Sequence, residues 1–423
     1  MRTDLSLTPG IMKTLPLVAL AFLAACSSES ATTEITSRDS AGVTIIEHPA
    51  GAIAAAPEWT LGPATATIAH GATDEDLFTR ITDATRLSDG RIVMINGEDN
   101  GAQPLLYSAN GTFEHPLGRP GAGPGEFRSA VILNCRAADT LCFFDFNTRR
   151  VTRVTPTGAV AGTLDLSRYG QMALGFPRGM LADGRIVSVP FVFDTVSTGG
   201  TIFRSPNALV VLDPVAEKLD TVASAIPGGA TYIGSMSFGE RSMNFPMPAG
   251  YGEQTLVLTS GDQIVVATNE TSDIVSYALP WNARRIVRFR EPRTPVDAAA
   301  KQAFIDRTLQ DMQRLTAQGA AAFREQMAER VRETKFVDSM PYYGNGKFAT
   351  DGSLWLMRMN SAVDTTRNHL VLGPDGRIAA RVTLPRDANL LWASGTEVLI
   401  GLRDADEVPR IELRAIVKPG ATP

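Results

Sequence analysis

A recurring pattern of turn and strand signals predicts that this 423-residue chain folds as an all-β protein. Leu87-Ser-Asp-Gly-Arg-Ile-Val93 recurs almost unchanged as Leu181-Ala-Asp-Gly-Arg-Ile-Val187. Asp-Gly tolerates the positive backbone angles of a tight turn, and the apolar residues after it are typical of the next strand of a hairpin. Further turn signals follow, as at Ala109-Asn-Gly111. Because no long helical crossover follows each turn, the pattern argues against a parallel α/β sheet.

Weaker copies of the turn bring the predicted number of units to six. The first apolar residues after the turns are Ile92, Leu141, Ile186, Ile264, Leu354 and Val398. Three of the five intervals between them match one unit of about 45 residues, and the other two contain an additional segment. Since each unit reads as four short strands, the sequence predicts a six-bladed β-propeller over residues 42–418, followed by a tail at 419–423.

The two additional segments differ in composition. Residues 228–252 are rich in Gly, Met, Ser and Pro and indicate a long loop. Residues 294–336 place apolar side chains at near-helical spacing, with Pro295 near the start and Gly319 between two halves. They predict a helical hairpin inserted between blades 4 and 5. We consider two roles for this hairpin: it covers a sheet edge or the channel mouth, or it takes part in gating or in contact with a partner.

Closing the ring requires one strand from the N-terminal part of the chain. The last unit supplies three strands, at Asn389–Trp392, Glu397–Leu402 and Arg410–Ile416. The candidates for the fourth are Val43–Glu47 and Ala64–Ala69. The second is favoured because acidic residues and Phe78 follow it, as Glu126 and Phe127 follow an equivalent strand. A blade shared between both termini leaves no exposed sheet edge.

The N-terminal segment has the features of a bacterial lipoprotein signal. Lys13 precedes a short apolar stretch, and Leu23-Ala24-Ala25-Cys26 matches a lipobox. Because the stretch is too short to span a bilayer permanently, we expect a signal peptide at 1–25, acylation of Cys26 and a flexible tether at 26–41. An ordinary secretory signal is the alternative, and either Met1 or Met12 is the start. Serines after Cys26, in place of a retaining aspartate, favour the outer membrane or periplasm-facing envelope of a Gram-negative bacterium.

One stretch carries a family resemblance. Leu117-Gly-Arg-Pro-Gly-Ala-Gly-Pro-Gly-Glu-Phe127, followed by Asn147-Thr-Arg-Arg-Val151, resembles the six-bladed NHL-like β-propeller family of secreted bacterial proteins and lipoproteins. The resemblance covers roughly residues 42–418, with the best-matched motif in blades one to three. It implies a fold and leaves the activity open, because proteins of this kind serve as ligand-binding modules, lyases or lactonases.

Composition narrows the functional classes. A net charge of −5 argues against nucleic acid as a partner, and four His without ligand spacing argue against a histidine-bound metal. A Gly-x-Ser-x-Gly nucleophile motif and a phosphate-binding P-loop are absent from the sequence. We therefore expect no cofactor. A divalent metal is the less favoured alternative, held by polar residues near predicted strand ends that more often cap turns: Asp145, Asn147, Asn269, Asn360 and Asp404.

Arginines in the loops predicted at one end of the channel indicate a binding surface. The candidates are Arg119, Arg128, Arg149, Arg150, Tyr343, Arg358, Arg367 and Arg403. Arginine binds carboxylate or phosphate through two parallel hydrogen bonds, and tyrosine adds a flat amphipathic surface. The sequence predicts a monomeric, non-catalytic protein that binds a peptide, a protein or a small anionic ligand. A metal-dependent hydrolase or lyase of lactonase type on the same face is the alternative. Arg149 and Arg150 equally suit structural ion pairs.

Cys135 and Cys142 are the remaining cysteines and fall on adjacent predicted strands of the second unit. An exported protein meets an oxidising compartment, which favours a disulfide if the two residues lie opposite each other. Two free, buried thiols that pack as small apolar side chains are the alternative.

Overall fold

The computed structural model describes residues 34–69, 77–78, 80–98, 101–133, 135, 140–170, 174–190, 201–238, 241–315, 321–404, 406 and 408–420. The predicted signal peptide, the lipidation residue Cys26 and the first part of the predicted tether lie outside this set. Within it the chain is mostly β-strand, with two α-helices and one short 3-10 helix at Ser167–Tyr169. No helix in the described ranges is long and apolar enough to cross a membrane.

Three strands precede the repeated sheets: β1 (Thr36–Ser40), β2 (Val43–His48) and β3 (Glu58–Ile68). Strand β1 pairs antiparallel with β2 over its whole length. The tether predicted at 26–41 is therefore too long, because its last residues already belong to a sheet. Strand β1 contains only Thr, Ser, Arg and Asp, and all of its side chains are exposed. Because it has no apolar residues, its sequence does not distinguish it from a linker.

The chain then forms antiparallel four-stranded sheets, each in simple up-and-down order. Sheet A contains β4 (Ile81–Arg86), β5 (Ile92–Glu98), β6 (Gly101–Tyr107) and β7 (Phe113–Pro116). A short parallel pair follows, β8 (Arg119–Pro120) with β9 (Glu126–Phe127). Sheet B contains β10 (Ala130–Leu133), β11 (Leu141–Asp145), β12 (Arg150–Val154) and β13 (Val160–Asp165).

Sheet C has five consecutive strands. It contains β14 (Phe176–Met180), β15 (Ile186–Val189), β16 (Phe203–Asp213), β17 (Lys218–Phe238) and β18 (Arg241–Pro248). Strands β17 and β18 pair continuously from Thr231↔Pro248 to Phe238↔Arg241. The loop predicted at 228–252 is thus wrong. Gly and Pro in this segment suggested a loop, but residues 231–238 and 241–248 are paired strands.

Sheets D and E flank the helices. Sheet D contains β19 (Leu256–Ser260), β20 (Gln263–Ala267), β21 (Ile274–Ala278) and β22 (Asn282–Phe289), and β2 adds to β22 in parallel. The helices α1 (Ala298–Leu315) and α2 (Ala321–Arg332) come next in the chain. Sheet E contains β23 (Tyr343–Phe348), β24 (Leu354–Arg358), β25 (Thr366–Leu372) and β26 (Ile378–Pro385).

Sheet F joins the two ends of the chain. It contains β27 (Asn389–Ala393), β28 (Glu397–Arg403) and β29 (Pro409–Val417), and β3 completes it. Strand β3 pairs antiparallel with β29, with Ala66 opposite Leu413. The prediction that Ala64–Ala69 closes the last sheet is confirmed. Val43–Glu47, the rejected candidate, lies in β2 at the edge of sheet D.

Six clusters of buried side chains each lie between two neighbouring sheets, so both faces of every sheet are covered. Phe127 and Phe143, for example, lie in the cluster between sheets A and B with ring centroids 5.3 Å apart. The first strands contact one another in chain order, from β4 through β10, β14, β19 and β23 to β27, and β27 contacts β4. A closed ring of four-stranded sheets is the architecture of a β-propeller.

The structure pairs Cys135 with Cys142 in a disulfide, with Cα atoms 5.8 Å apart. The partner opposite Cys142 is Leu133, so the two cysteines are diagonal neighbours instead of directly opposed. A shift of two residues keeps both side chains on one face of the sheet, which is why the bridge forms without direct opposition.

Candidate functional site

Several of the predicted arginines hold the connector between sheets A and B. Arg119 binds the Glu126 carboxylate at 2.7 Å, and 75% of its side chain is exposed. Arg150 donates through one nitrogen to the carbonyls of Ala122 and Gly123, each at 2.9 Å. The side chain of Arg128 is exposed, while its backbone N–H binds Asp145. This part of the predicted surface therefore stabilises a Gly/Pro-rich turn.

The other predicted residues are dispersed over different sheets. Arg149 lies at a positive φ of 53° and makes only long contacts, of 3.5 Å, to two carbonyls. Tyr343 is 1% exposed and donates to the Ser272 carbonyl at 3.0 Å. Burial raises the pKa of this phenol. Arg358 and Arg403 end the second strands of sheets E and F, and Arg403 is exposed. Arg367 lies between sheets E and F and donates to Asn389 at 2.7 Å.

Four of the five strand-end residues considered as metal ligands have side chains with structural partners. Asp145 accepts the N–H groups of Arg128, Ser129, Asn147 and Thr148. Asn269 donates to the carbonyls of Gln254 and Tyr343, at 2.8 and 2.9 Å. Asn360 and Asp404 bond to nearby backbone. Each carboxylate or amide holds a connector, and among the described residues no group of three His, Cys, Asp or Glu side chains is arranged to hold a metal.

The central cavity has a volume of about 200 Å³ and is lined by the first strand of every sheet. Its charged residues are Asp83 of sheet A, Arg178 of sheet C and Lys347 of sheet E. None of the predicted arginines lies in this lining. Loops at the channel mouth were the basis of the prediction, whereas these side chains come from inside the first strands.

Two of the three charges in the cavity neutralise each other. The Asp83 carboxylate lies 3.5 Å from the Lys347 ammonium and accepts the Ile132 N–H at 3.1 Å. Lys347 also donates to the Leu391 carbonyl. Because both charged groups have partners, neither needs a ligand to offset its loss of hydration.

Arg178 has no such partner. No hydrogen bond or ion pair joins its guanidinium to any residue in the described ranges, although the side chain is accessible within the cavity. Burial lowers its pKa, because the surrounding protein removes much of the bulk water that stabilises the cation. Arginine stays protonated under such conditions. The cavity therefore holds one unneutralised positive charge whose five N–H donors suit an oxyanion.

A β-bulge determines where Arg178 points. Pro177 pairs with Ser188 and Gly179 with Val187, so Arg178 is the additional, unpaired residue of β14. Bulges redirect side chains in this way and occur often beside functional sites. Gly179 allows β14 to approach β19, because a Cβ there would lie 2.0 Å from the Thr259 hydroxyl oxygen.

Arg178 also lines a second chamber of about 350 Å³ inside sheet C. Its other walls include Phe176, Phe203, Asn207 and Gln254. The guanidinium thus lies at the junction of two cavities. One sequence signal was available: in the repeat alignment that matches Leu87 with Leu181, Arg178 occupies the position of Ala84, inside a strand where a charge is unusual.

Comparisons with known proteins identify no family for this chain. No family model matches it, and no curated protein matches it. Among solved structures it is similar to a DUF4221 family member from Bacteroides vulgatus, with 8% identity, a TM-score of 0.48 and coverage of 86% of this chain and 99% of that one. A candidate exported protein from Bacteroides fragilis has 12% identity and a TM-score of 0.46, with coverage of 85% of this chain and 94% of that one. The calcium-binding protein regucalcin from Agrobacterium tumefaciens has 10% identity and a TM-score of 0.37, with coverage of 86% of this chain and 97% of that one. At these values the likenesses carry no argument about function.

Proposed function

We propose that this chain is a six-bladed β-propeller that binds a small anionic ligand in its central cavity, without catalysis. The observation that carries the proposal is Arg178, a cation without a partner among the described residues, directed by a bulge into the cavity. A carboxylate or phosphate there would gain a charge-assisted, two-point hydrogen bond.

Two features support the blade number and the insertion. Strands β4, β10, β14, β19, β23 and β27 form the lining, one from each sheet. The two helices fall between the last strand of sheet D and the first of sheet E. Tyr251 donates to the Ala300 carbonyl of α1 at 3.2 Å, so this helix packs on the connector that leads into sheet D.

The proposal includes attachment to the cell envelope of a Gram-negative bacterium, as a monomer acylated at Cys26. The lipobox at residues 23–26 supports this localisation. Metabolic labelling with a palmitate analogue should mark the wild type and leave Cys26→Ala unlabelled. Equal labelling of both proteins would exclude the anchor.

Ligand binding is tested on purified protein with citrate, inorganic phosphate and acetate, each compared with chloride at equal ionic strength. We expect calorimetry to detect saturable binding of at least one anion. Arg178→Gln should weaken it at least tenfold, since hydrogen bonds to charged groups contribute about 1.5–3 kcal/mol. Arg119→Gln, which removes an exposed arginine of the connector, is the matched control and should bind normally.

Unchanged affinity in Arg178→Gln would contradict the proposal. So would a stoichiometric divalent metal in the purified protein that EDTA removes without unfolding it. That second outcome would favour the alternative hydrolase or lyase, in which the cavity residues surround a metal-bound substrate.

A further inference from the structure

A second, smaller cavity lies between sheets E and F, away from Arg178. It has a volume of about 100 Å³, and its walls include Trp355, Arg367, His369 and Asn389. Only Gly346 and Lys347 line both this cavity and the central one. The space would hold about three water molecules, at roughly 30 Å³ each, or one small oxyanion.

Strand periodicity explains why polar groups collect here. Trp355 and Met357 of β24, and Arg367 and His369 of β25, are pairs two residues apart, so each pair lies on one face of sheet E. Met357 is directly opposite His369 in the ladder. The same face elsewhere contributes to the apolar cluster between sheets E and F. A polar end on an otherwise apolar interface therefore results from the sequence of these two strands.

Two buried nitrogen atoms at this cavity lack partners. Trp355 is 1% exposed and His369 is 5% exposed, and neither the indole Nε1 nor the imidazole Nδ1 has a hydrogen-bond partner within the described part of the chain. An indole N–H can only donate. Leaving this indole donor unpaired costs about 1–3 kcal/mol, so an acceptor oxygen beside Trp355 would stabilise the folded protein. The neutral imidazole can add either a donor or an acceptor at Nδ1, depending on its tautomer.

The charge around the cavity is positive. Arg367 lines it and donates one N–H nitrogen to the Asn389 side chain, at 2.7 Å, and to the Ala388 carbonyl, at 3.4 Å. Burial lowers the Arg367 pKa, and the nearby Arg386 and Arg307 lower it further, while Asp387 opposes them. Asp387 is 73% exposed and lies 3.6 Å from Arg307, so its charge is largely screened by water. Donors and positive charge together select an anion.

We propose that this cavity is a second binding site, specific for a small oxyanion such as a carboxylate or inorganic phosphate. Trp355 Nε1 donates to one oxygen, Arg367 donates through nitrogens that Asn389 does not occupy, and His369 supplies a further hydrogen bond. The site is independent of the central cavity, because its cation is Arg367 and not Arg178.

The four tryptophans allow the two sites to be observed separately. Trp355 lines the small cavity and Trp392 lines the central one. The protein is labelled with 5-fluorotryptophan, and its ¹⁹F resonances are assigned from Trp59→Phe, Trp281→Phe and Trp392→Phe. Sodium phosphate and sodium acetate are then titrated at constant ionic strength, with chloride as the reference.

We expect a saturable shift of the Trp355 resonance with phosphate or acetate, and none with chloride. The anion that saturates the shift at the lower concentration shows whether the site prefers a phosphate or a carboxylate. Arg367→Gln should weaken this response at least tenfold, and Arg367→Lys should restore part of it. Arg178→Gln should leave it unchanged. Thermal unfolding confirms that each variant is folded.

A Trp355 resonance that moves with none of these anions, or equally in Arg367→Gln, overturns the inference. Crystallographic density for water alone at saturating phosphate and acetate does the same. A Trp392 response without a Trp355 response would overturn this site and leave the central one standing. A Trp355 response without a Trp392 response would support this site and contradict the function proposed for the central cavity.

Discussion

A single glycine beside Arg178 controls how closely two inner strands approach. Gly179→Ala would place a Cβ 2.0 Å from the Thr259 hydroxyl oxygen, so one of the two strands or the Thr259 side chain must move. We expect a loss of about 1–3 kcal/mol in the free energy of unfolding, typical of overpacking, measured by urea denaturation.

The control is Gly62→Ala in β3, where a new Cβ would meet its nearest atom at 3.7 Å. That variant should change stability by less than about 0.5 kcal/mol. Adding Thr259→Ala to Gly179→Ala should recover much of the loss, because it removes the clashing hydroxyl. A double variant as unstable as the single one would indicate that backbone strain, and not this contact, requires glycine.

His369 makes stability depend on pH in a defined direction. Burial lowers its pKa to about 4, with a further contribution from the Arg367 charge, against an ordinary value of 6.5. Between these two values the unfolded chain binds the proton that the folded chain excludes, so stability falls as pH decreases from about 6.5 to 4. His369→Gln should therefore gain on the order of 1–3 kcal/mol relative to wild type over that range.

Denaturation at pH 7.5 and pH 4.5 measures that gain as a difference between two chains, which cancels the carboxylates that both share. His115→Gln, at a half-buried histidine of β7, is the matched histidine-to-glutamine control. A wild type and His369→Gln that respond to pH identically would mean that the imidazole is hydrated in the folded protein.

Residue types alone left the chemistry of the strand ends undecided. Asp145 and Asn269 were recognisable as convergent polar groups, and a metal site and a turn cap both require such oxygens. Their backbone partners decide for caps, and those partners depend on how connectors fold back onto the strands. Arg178 was missed for a different reason. The repeat places a charge inside a strand at this position, but the bulge that redirects its side chain depends on ladder register, which the sequence does not show.

At the scale of elements, the turn signals predicted strands far better than composition predicted loops. Asp-Gly turns located the hairpins of sheets A and C because the turn itself requires residues that accept positive φ, as Gly90 and Gly184 do at 92° and 86°. The second part of β17 and all of β18 were missed because Gly and Pro are depleted in strands and therefore suggested a loop. Helices were predicted at 294–336 from apolar spacing together with Pro295 and Gly319, and α1 and α2 lie within that range.

The Cys135–Cys142 bridge belongs to one hairpin and should stabilise only that hairpin. The residues lie seven positions apart, so closing the loop removes little entropy from the unfolded chain, about 2–3 kcal/mol at most. Alkylation of mature protein under denaturing, non-reducing conditions should modify neither cysteine. After reduction both cysteines should react. The reduced protein should still unfold in one transition, at a slightly lower denaturant concentration than the oxidised protein. Two equivalents of alkylation without reductant would show two packing thiols instead.

At the scale of the whole molecule, β3 connects the N-terminal part of the chain to the last sheets. It pairs antiparallel with β29 over most of its length, and its first two residues pair in parallel with β26 of sheet E. The other additional N-terminal strand is β2, at the edge of sheet D. The stability of the ring should consequently respond strongly to a covalent link between β3 and β29.

Thr60 and Val417 offer the place for that link, because they are paired in the ladder and both are exposed. Thr60→Cys with Val417→Cys, in a chain that also carries Cys26→Ser, should form a disulfide that closes nearly the whole propeller. The chain-entropy relation gives about 6 kcal/mol for so long a loop, less any strain. Oxidised protein should therefore unfold at clearly higher denaturant concentration than the same protein after reduction. Thr60→Cys alone should show no such difference between redox states. Should the oxidised double variant form its bridge and gain nothing, the ring would be opening at another pair of sheets, and the closure by β3 would not be the step that limits its stability.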